Sequence, residues 1–358
     1  MTFAEARAAY PVLERIAYLN AGTTGPIASA TVEAMQAQLQ RERDDGRGGS
    51  RYWEELRALR ERVRAAVATL VGAAPEQVAV AHSTTAAVNT VVAGLRLAPD
   101  DEVVTTDEEH FGLIGPLHAS GARVRIAATR GLPRDEALAA LLAEVGPRTR
   151  LLALSHVSWM TGALLPVAEL KEATGLAVLV DGAQSAGAIP IVAAAFDYYT
   201  VSGQKWLCGP DGTGALVVAD PERLPVAAPS YLSQAGYEST GAFTPAAGAA
   251  RVDAGTVGAT SLVGLEAALA AAPEWRFDRS REAVERCREL LAQRFDVVTP
   301  PGQSNLVSFR PDGDPAEAVS RLYERGVVVR NIPRTEWVRV SCGYWTSDKD
   351  LERLLDSL

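Results

Sequence analysis

Three short polar runs in this chain carry residue types that do chemistry. Ser202-Gly203-Gln204-Lys205 ends in one of only three lysines (Lys171, Lys205 and Lys349) among 35 basic residues. Elsewhere the chain uses arginine, which neither gives up its proton nor forms an imine, as lysine does. Lys205, set before Trp206-Leu207, therefore points to amine chemistry. A surface lysine is the plainer alternative, and the nearby glycines and Trp206 speak against it. Val180-Asp181-Gly182-Ala183-Gln184-Ser185 places an acid directly after the apolar stretch Leu176–Val180. A carboxylate there is costly to bury unless a cation meets it; a helix cap or an ion pair would explain it as well. His82-Ser83-Thr84-Thr85 stands at a helix start, where backbone N–H groups and the helix dipole favour a phosphate. A simple N-cap at Ser83 accounts for the same residues.

Together the runs ask for a ligand with a carbonyl, a basic nitrogen and a phosphate, and pyridoxal 5′-phosphate (PLP) has all three. Lys205 would form the imine, Asp181 would keep the pyridine nitrogen protonated, and the helix start would hold the phosphate. A carboxylate beside a pyridinium favours its charged form, at about 1.4 kcal/mol per pKa unit gained.

The elements that must position these runs alternate between strand and helix. Gln77–Ala81, Glu102–Thr106, Arg123–Ala127, Leu151–Ser155, Leu176–Val180, Tyr198–Ser202 and Thr213–Val218 read as strands. Two of them are continuous apolar runs, as expected of strands covered on both faces. Helices are expected from Ser83 to about Leu97 and over Pro166–Thr174. This alternation implies an α/β architecture with a mainly parallel sheet between two helical layers. Strand ends in such a sheet face a ligand crevice. After about Arg251 the pattern changes to a smaller α+β part. Helices are expected over Ser261–Ala272, Arg279–Phe295 and Asp348–Leu358, and strands over Leu306–Arg310, Val327–Arg330 and Val338–Cys342. The domain division read from this is a large domain over 16–250 and a small one formed by 1–15 and 251–358. Asp44–Ser50 and Ser233–Ala250 read as the softest loops.

Composition narrows the function classes. The net charge of −9 argues against nucleic acid or an anionic membrane as the main partner. No apolar run reaches ~18 residues, the minimum for a membrane span. Cys208, Cys287 and Cys342 are few, odd in number and widely spaced, which suggests a reducing cytoplasm and no zinc pattern. The charged N-terminus has no signal-peptide core. There is no G-x-G-x-x-G after the first strand and no H-E-x-x-H, so nicotinamide and zinc-hydrolase readings fail and no metal site is expected.

The Val-Asp-Gly-Ala-Gln-Ser run followed by Ser-Gly-Gln-Lys-Trp resembles the class V aminotransferase family of fold-type I PLP enzymes. That family includes cysteine desulfurases, cystine C–S lyases and isopenicillin N epimerase. The resemblance extends from Tyr18-Leu19-Asn20 to the C-terminal helix. It implies the fold-type I architecture and PLP as cofactor. It further implies that Lys205 bonds the cofactor and later moves the Cα proton, that Asp181 pairs with the pyridine nitrogen, and that Gln184 bonds the ring oxygen O3′. Thr84, Thr85 and Ser202 would hold the phosphate, with Gln204 donating to it in place of the usual histidine. His110 would stack on the ring. Thr256, after Gly255, would reach the phosphate of a neighbouring subunit, so the resemblance implies a homodimer with shared sites. Arg339 would clamp the α-carboxylate of a small amino-acid substrate, a task suited to a bidentate arginine, with Asn20 and Trp159 on the same side.

Two departures bear on the reaction. Ser155-His156-Val157-Ser158-Trp159 has tryptophan where desulfurases carry a substrate-contacting amide. Asn331–Trp337 lacks the loop cysteine that takes sulfur. Cys208 and Cys342 are expected to be buried small hydrophobes. The expectation is therefore β-elimination at a C–S bond of a cystine- or cysteine-conjugate-like substrate. An aminotransferase or epimerase is the alternative; a desulfurase and a non-catalytic PLP-binding protein are disfavoured.

Overall fold

The computed structural model describes residues 1–358. Seven strands form the central sheet: β1 (Val78–Ala81), β2 (Glu102–Thr106), β3 (Arg123–Ala127), β4 (Thr149–Ser155), β5 (Val178–Asp181), β6 (Tyr198–Ser202) and β7 (Gly214–Val218). Their spatial order is β1-β7-β6-β5-β4-β2-β3. The pairings β3/β2, β2/β4, β4/β5 and β5/β6 are parallel. Strand β7 runs antiparallel to both β6 and β1, because the Gly203–Thr213 connection contains no crossover helix to return the chain. The other six strands point the same way, so the carboxyl ends of β1, β2, β4, β5 and β6 share one edge. Gly214 stands opposite both Ser202 and Ala81.

Burial on both faces follows from the period-two alternation of β4. Leu152 and Leu154 pack with Val63, Val67, Val180 and Leu262 on one face. Leu151 and Ala153 pack with Val88, Val91, Leu113 and Leu117 on the other.

Two helices outside the sequence expectations, Ser29–Asp45 and Gly49–Val71, lead into the sheet. The first buries only Thr31 and presents no apolar stripe. The second buries Leu56, Leu59, Val63, Val67 and Val71 at helical spacing. Asp44–Ser50, read as a soft loop, lies mostly inside these two helices. Ser233–Ala250 is likewise more ordered than expected, with an antiparallel hairpin of Gln234–Tyr237 and Phe243–Pro245.

The C-terminal part is an antiparallel sheet of Asp296–Val297, Leu306–Arg310, Val338–Ser341 and Arg330–Asn331. Helices Arg276–Ala292, Pro315–Glu324 and Asp348–Ser357 accompany it, and its core includes Cys287, Phe309 and Leu322. The expected strand Val327–Arg330 divides in two. Val327–Val328 pairs in parallel with Ala17–Tyr18, whereas Arg330–Asn331 pairs with Arg339 and Val338. The chain thus changes partner at Val329, and this sets Arg330 across from Arg339. Leu19 and Asn20 run beside Ser341, which brings the Asn20–Thr24 turn between the two parts. No helix is long and apolar enough to cross a membrane.

Candidate active site

The shared strand edge holds a cleft of about 550 Å³. It is lined by Ser83, Thr84, Thr85, His110, Ser155, Trp159, Asp181, Gln184, Ser202, Gln204 and Lys205, among others. Nine of the twelve residues singled out from the sequence therefore converge here. Arg339 lies behind Trp159, Asn20 lies outside the lining, and Thr256 is exposed on the loop after Asp253.

Each position has a local cause. The helix Thr84–Leu95 is capped by Ser83, whose hydroxyl accepts from Ala86 N at 3.1 Å. The cap reading thus holds for Ser83, while Thr84 and Thr85 occupy the first turn, where backbone N–H groups have no helical acceptor. His110 caps the helix Phe111–Ala119 through Nδ1, which accepts from Gly112 N at 3.1 Å. The ring is therefore neutral with its proton on Nε2, and enclosure in the site followed by the charge of Lys205 holds its pKa below the ordinary value. It meets the Trp159 ring edge-on at 5.3 Å.

Asp181 ends β5 and is 5% exposed. Its Oδ1 accepts from Ala183 N at 2.9 Å. A Cβ at Gly182 would overlap the Tyr199 ring and the Thr200 carbonyl, so only glycine allows the turn that follows. Gln184 is tied at both ends. Its Nε2 donates to Gly22 O at 2.8 Å and its Oε1 accepts from Trp206 Nε1 at 3.0 Å. A carbonyl only accepts and an indole only donates, which fixes the amide orientation and leaves one N–H free. Ser202 donates to Gln204 Oε1 at 2.8 Å, which leaves the Gln204 amino group free to donate. For Ser202 to donate to a phosphate, its hydroxyl must rotate away from Gln204.

No carboxylate pairs with Lys205. Burial pulls its pKa down to about 8; the charge of Asp181 opposes that shift, and Arg339 and Arg330 reinforce it. Arg339 has no exposed surface. Its guanidinium donates to Trp159 O at 2.8 Å and Thr23 Oγ1 at 3.3 Å, while Nε has no partner. Burial and then Arg330 lower its pKa to about 9.

Arg330 escaped the sequence reading. It is half-buried, lies over the Trp159 ring at 5.6 Å and donates to the same Thr23 hydroxyl at 3.3 Å. The available signal was an arginine closing the apolar run Val327–Val329. Thr23 in turn donates to Asn20 Oδ1 at 2.8 Å, so Asn20 supports the arginine pair from behind. The Trp159 indole N–H is enclosed and unpartnered. The substrate side thus holds two arginines and an indole donor with no anion to meet them.

All three cysteines are free and buried, and burial raises the Cys208 thiol to about 12. None lies on the cleft wall.

The class-V aminotransferase pattern matches residues 17–354, and the chain belongs to that family. Isopenicillin N epimerase of Streptomyces clavuligerus is 32% identical over 99% of this chain and 97% of its own length. Cysteine desulfurase CsdA of Escherichia coli (strain K12) is 29% identical over 91% of this chain and 86% of its own. Among solved structures, a lysine-to-alanine mutant of C-DES with glycine covalently linked to its PLP cofactor matches with a TM-score of 0.90. It shares 28% identity and covers 98% of both chains. C-DES is described as a cystine C–S lyase with cysteine persulfide as its reaction product. The α/β fold with a mainly parallel sheet is that of these enzymes.

Proposed function

We propose that the chain is a PLP-dependent enzyme acting at Cα and Cβ of a small amino acid, by β-elimination at a C–S bond. The observation that carries the reaction type is the absence of any cysteine from the cleft wall, beside a complete amine, acid and anion-cradle set.

The residues fit PLP. Asp181 offers a buried carboxylate whose Oδ1 is engaged. Lys205 offers an amine with no ion-pair partner, and the first turn after Ser83 offers unpaired N–H groups. Bound there, PLP supplies an electron sink for charge developing at Cα.

This chain's residues then have separable tasks. Lys205, with its pKa near 8, has free amine at neutral pH to bond a carbonyl carbon and afterwards to take and return a proton at Cα. Asp181 would hold a proton on the ring nitrogen, and the free N–H of Gln184 would be the donor for the ring oxygen. Thr84, Thr85, Ser202 and the Gln204 amino group would hold the phosphate. His110 would wall the ring. Arg330 and Arg339 take the α-carboxylate, with the Trp159 N–H as a further donor; Arg339 becomes reachable when Thr23 and the Trp159 carbonyl yield. In the elimination the Cα–H and Cβ–S bonds break, and sulfur leaves as a thiol or persulfide with a proton. The released aminoacrylate takes one water to give pyruvate and ammonia.

Exposed Thr256 supports a homodimer in which it reaches the partner's phosphate. The large domain at 16–250 and the small one at 1–15 and 251–358 would then enclose each site. Three free buried thiols fit a cytoplasmic protein.

The test is to incubate the purified holoenzyme with L-cystine and S-substituted cysteines and assay pyruvate, ammonia and sulfide together. Pyruvate and ammonia in equal amounts are expected. An epimerase is the second reading, favoured by the 32% identity to isopenicillin N epimerase. It predicts Cα deuterium exchange with inversion and no pyruvate, a result that would overturn elimination.

A further inference from the structure

The carboxyl ends of β2, β4 and β5 are neighbours in the sheet. They present, in order, an acid, a hydroxyl and an acid. Glu109, just beyond β2, folds back so that its carboxylate accepts from Thr106 Oγ1 at 2.8 Å, Ser155 N at 3.0 Å and Ser155 Oγ at 2.5 Å. Ser155 ends β4, lines the cleft, and is in register with Asp181 of β5. Every group meeting Glu109 is a neutral donor, and no lysine or arginine pairs with it. The tasks assigned to the cleft residues above leave this acid without one.

We propose that Glu109 is a positioning residue that, acting through the Ser155 hydroxyl, sets how tightly the cofactor ring nitrogen beside Asp181 holds its proton. The proposal rests on the PLP reading above. Ser155 has one hydroxyl hydrogen, and it is committed to Glu109 while Glu109 is ionised. A protonated Glu109 must itself donate. Its proton then goes to Ser155 Oγ, and the serine hydrogen is released towards Asp181, drawing charge from the carboxylate that holds the ring. An ionised Glu109 adds a second negative charge behind Asp181 and strengthens that hold. The geometry thus gives both states of Glu109 the same sense of action.

The surroundings place the change of state in the neutral range. Enclosure of the carboxyl raises its pKa to about 7; the donors Ser155 and Thr106 oppose that shift and the charge of Asp181 adds to it. The other titratable groups at this edge are engaged elsewhere. Glu108 turns away to Ser158 and Thr161. His110 is held by Gly112 N against Trp159. Lys205, Arg330 and Arg339 act on one another and on His110, and Lys205 also feels Asp181, but none of the three is among the charges that act on Glu109.

The experiment uses holoenzyme reconstituted with PLP labelled with 15N in the ring, followed by NMR from acid to alkaline pH. The wild-type ring-nitrogen signal is expected to step near pH 7. Glu109→Gln should lose the step and stay at the wild-type acid value, and Ser155→Ala should show it at about half amplitude or less. Thr106→Val, which removes a donor to the carboxylate, keeps the probe available if Glu109→Gln does not fold; its step should move up by about half a pH unit. A wild-type signal without a step, a Glu109→Gln signal matching wild type, or a downward move in Thr106→Val overturns the proposal. Failure of the PLP reading looks different. The protein would then gain no visible cofactor absorbance at all on reconstitution.

Discussion

Arg330 and Arg339 stand directly across from each other on neighbouring antiparallel strands, and both donate to the one hydroxyl of Thr23. Like charges in that relationship destabilise a sheet, and no carboxylate relieves them. The α-carboxylate of the proposed amino-acid substrate would. Arg330→Gln should raise KM by about tenfold or more, the size of a charged hydrogen bond of ~1.5–3 kcal/mol. Arg339→Met should lower kcat/KM more steeply, yet leave thermal stability unchanged or higher, because an unpaired buried charge is replaced by a side chain that packs. A cooperative drop in Tm would assign Arg339 to the fold instead of the substrate.

The depressed pKa of Lys205 sets a pH dependence whose sign is fixed. The free amine forms as pH rises through about 8, so the rate at which apoprotein takes up PLP should climb about tenfold per pH unit below that point and level off above it. Arg330 lowers this pKa and Asp181 raises it. The midpoint should therefore move up in Arg330→Gln and down in Asp181→Asn. Stopped-flow absorbance reads both, and Lys205→Ala should show no such reaction.

Asp253 accepts from Arg60 and Arg64 at 2.9 Å each and from Val80 N at 2.8 Å, all deep in the protein. Asp253→Asn leaves buried Arg60 without an anion and Arg64 with only the exposed carboxylate of Glu61, so urea unfolding should show a loss of about 3–5 kcal/mol. A change under ~1 kcal/mol would mean the arginines relax into solvent.

The same loop presents Thr256. If Thr256 serves the partner's site, mixing inactive Lys205→Ala with weakened Thr256→Val should restore activity, since half of the mixed pairs' sites are intact. Random pairing gives roughly a quarter of wild-type turnover. No recovery after subunit exchange would place Thr256 in its own subunit's site or in none.

The cysteines give a simple check on sulfur transfer. Native protein should react with no aromatic disulfide reagent at Cys208, Cys287 or Cys342, and unfolded protein at all three. Fast labelling of one thiol, with loss of turnover, would revive the desulfurase reading.

What the sequence made legible follows from where information is local. Lys205, Asp181, Gln184 and Thr84 all sit within a few residues of a strand end, and an apolar run followed by a polar one marks such ends. Arg330 was missed because its meaning depends on a change of strand partner at Val329, which no local pattern encodes. The helix Ser29–Asp45 was missed because it buries almost nothing and so has no apolar period. The hairpin within Ser233–Ala250 was read as a loop because its residues are mostly exposed and alternate weakly. Asn20, expected on the substrate side, accepts from the Thr23 hydroxyl that Arg330 and Arg339 share, a link that only the folded turn reveals.

Gly214 faces Ser202 on one side and Ala81 on the other, so a residue without a side chain separates the lysine's strand from the strand that feeds the proposed phosphate cradle. A Cβ there would press on the Val201 carbonyl and come within 3.2 Å of Ser83 Cα. The spacing between amine and cradle is therefore a fixed gauge cut into the backbone. With the amine and phosphate sites as proposed, it would measure a ligand by the length between its carbonyl and its phosphate before any side chain reads its chemistry.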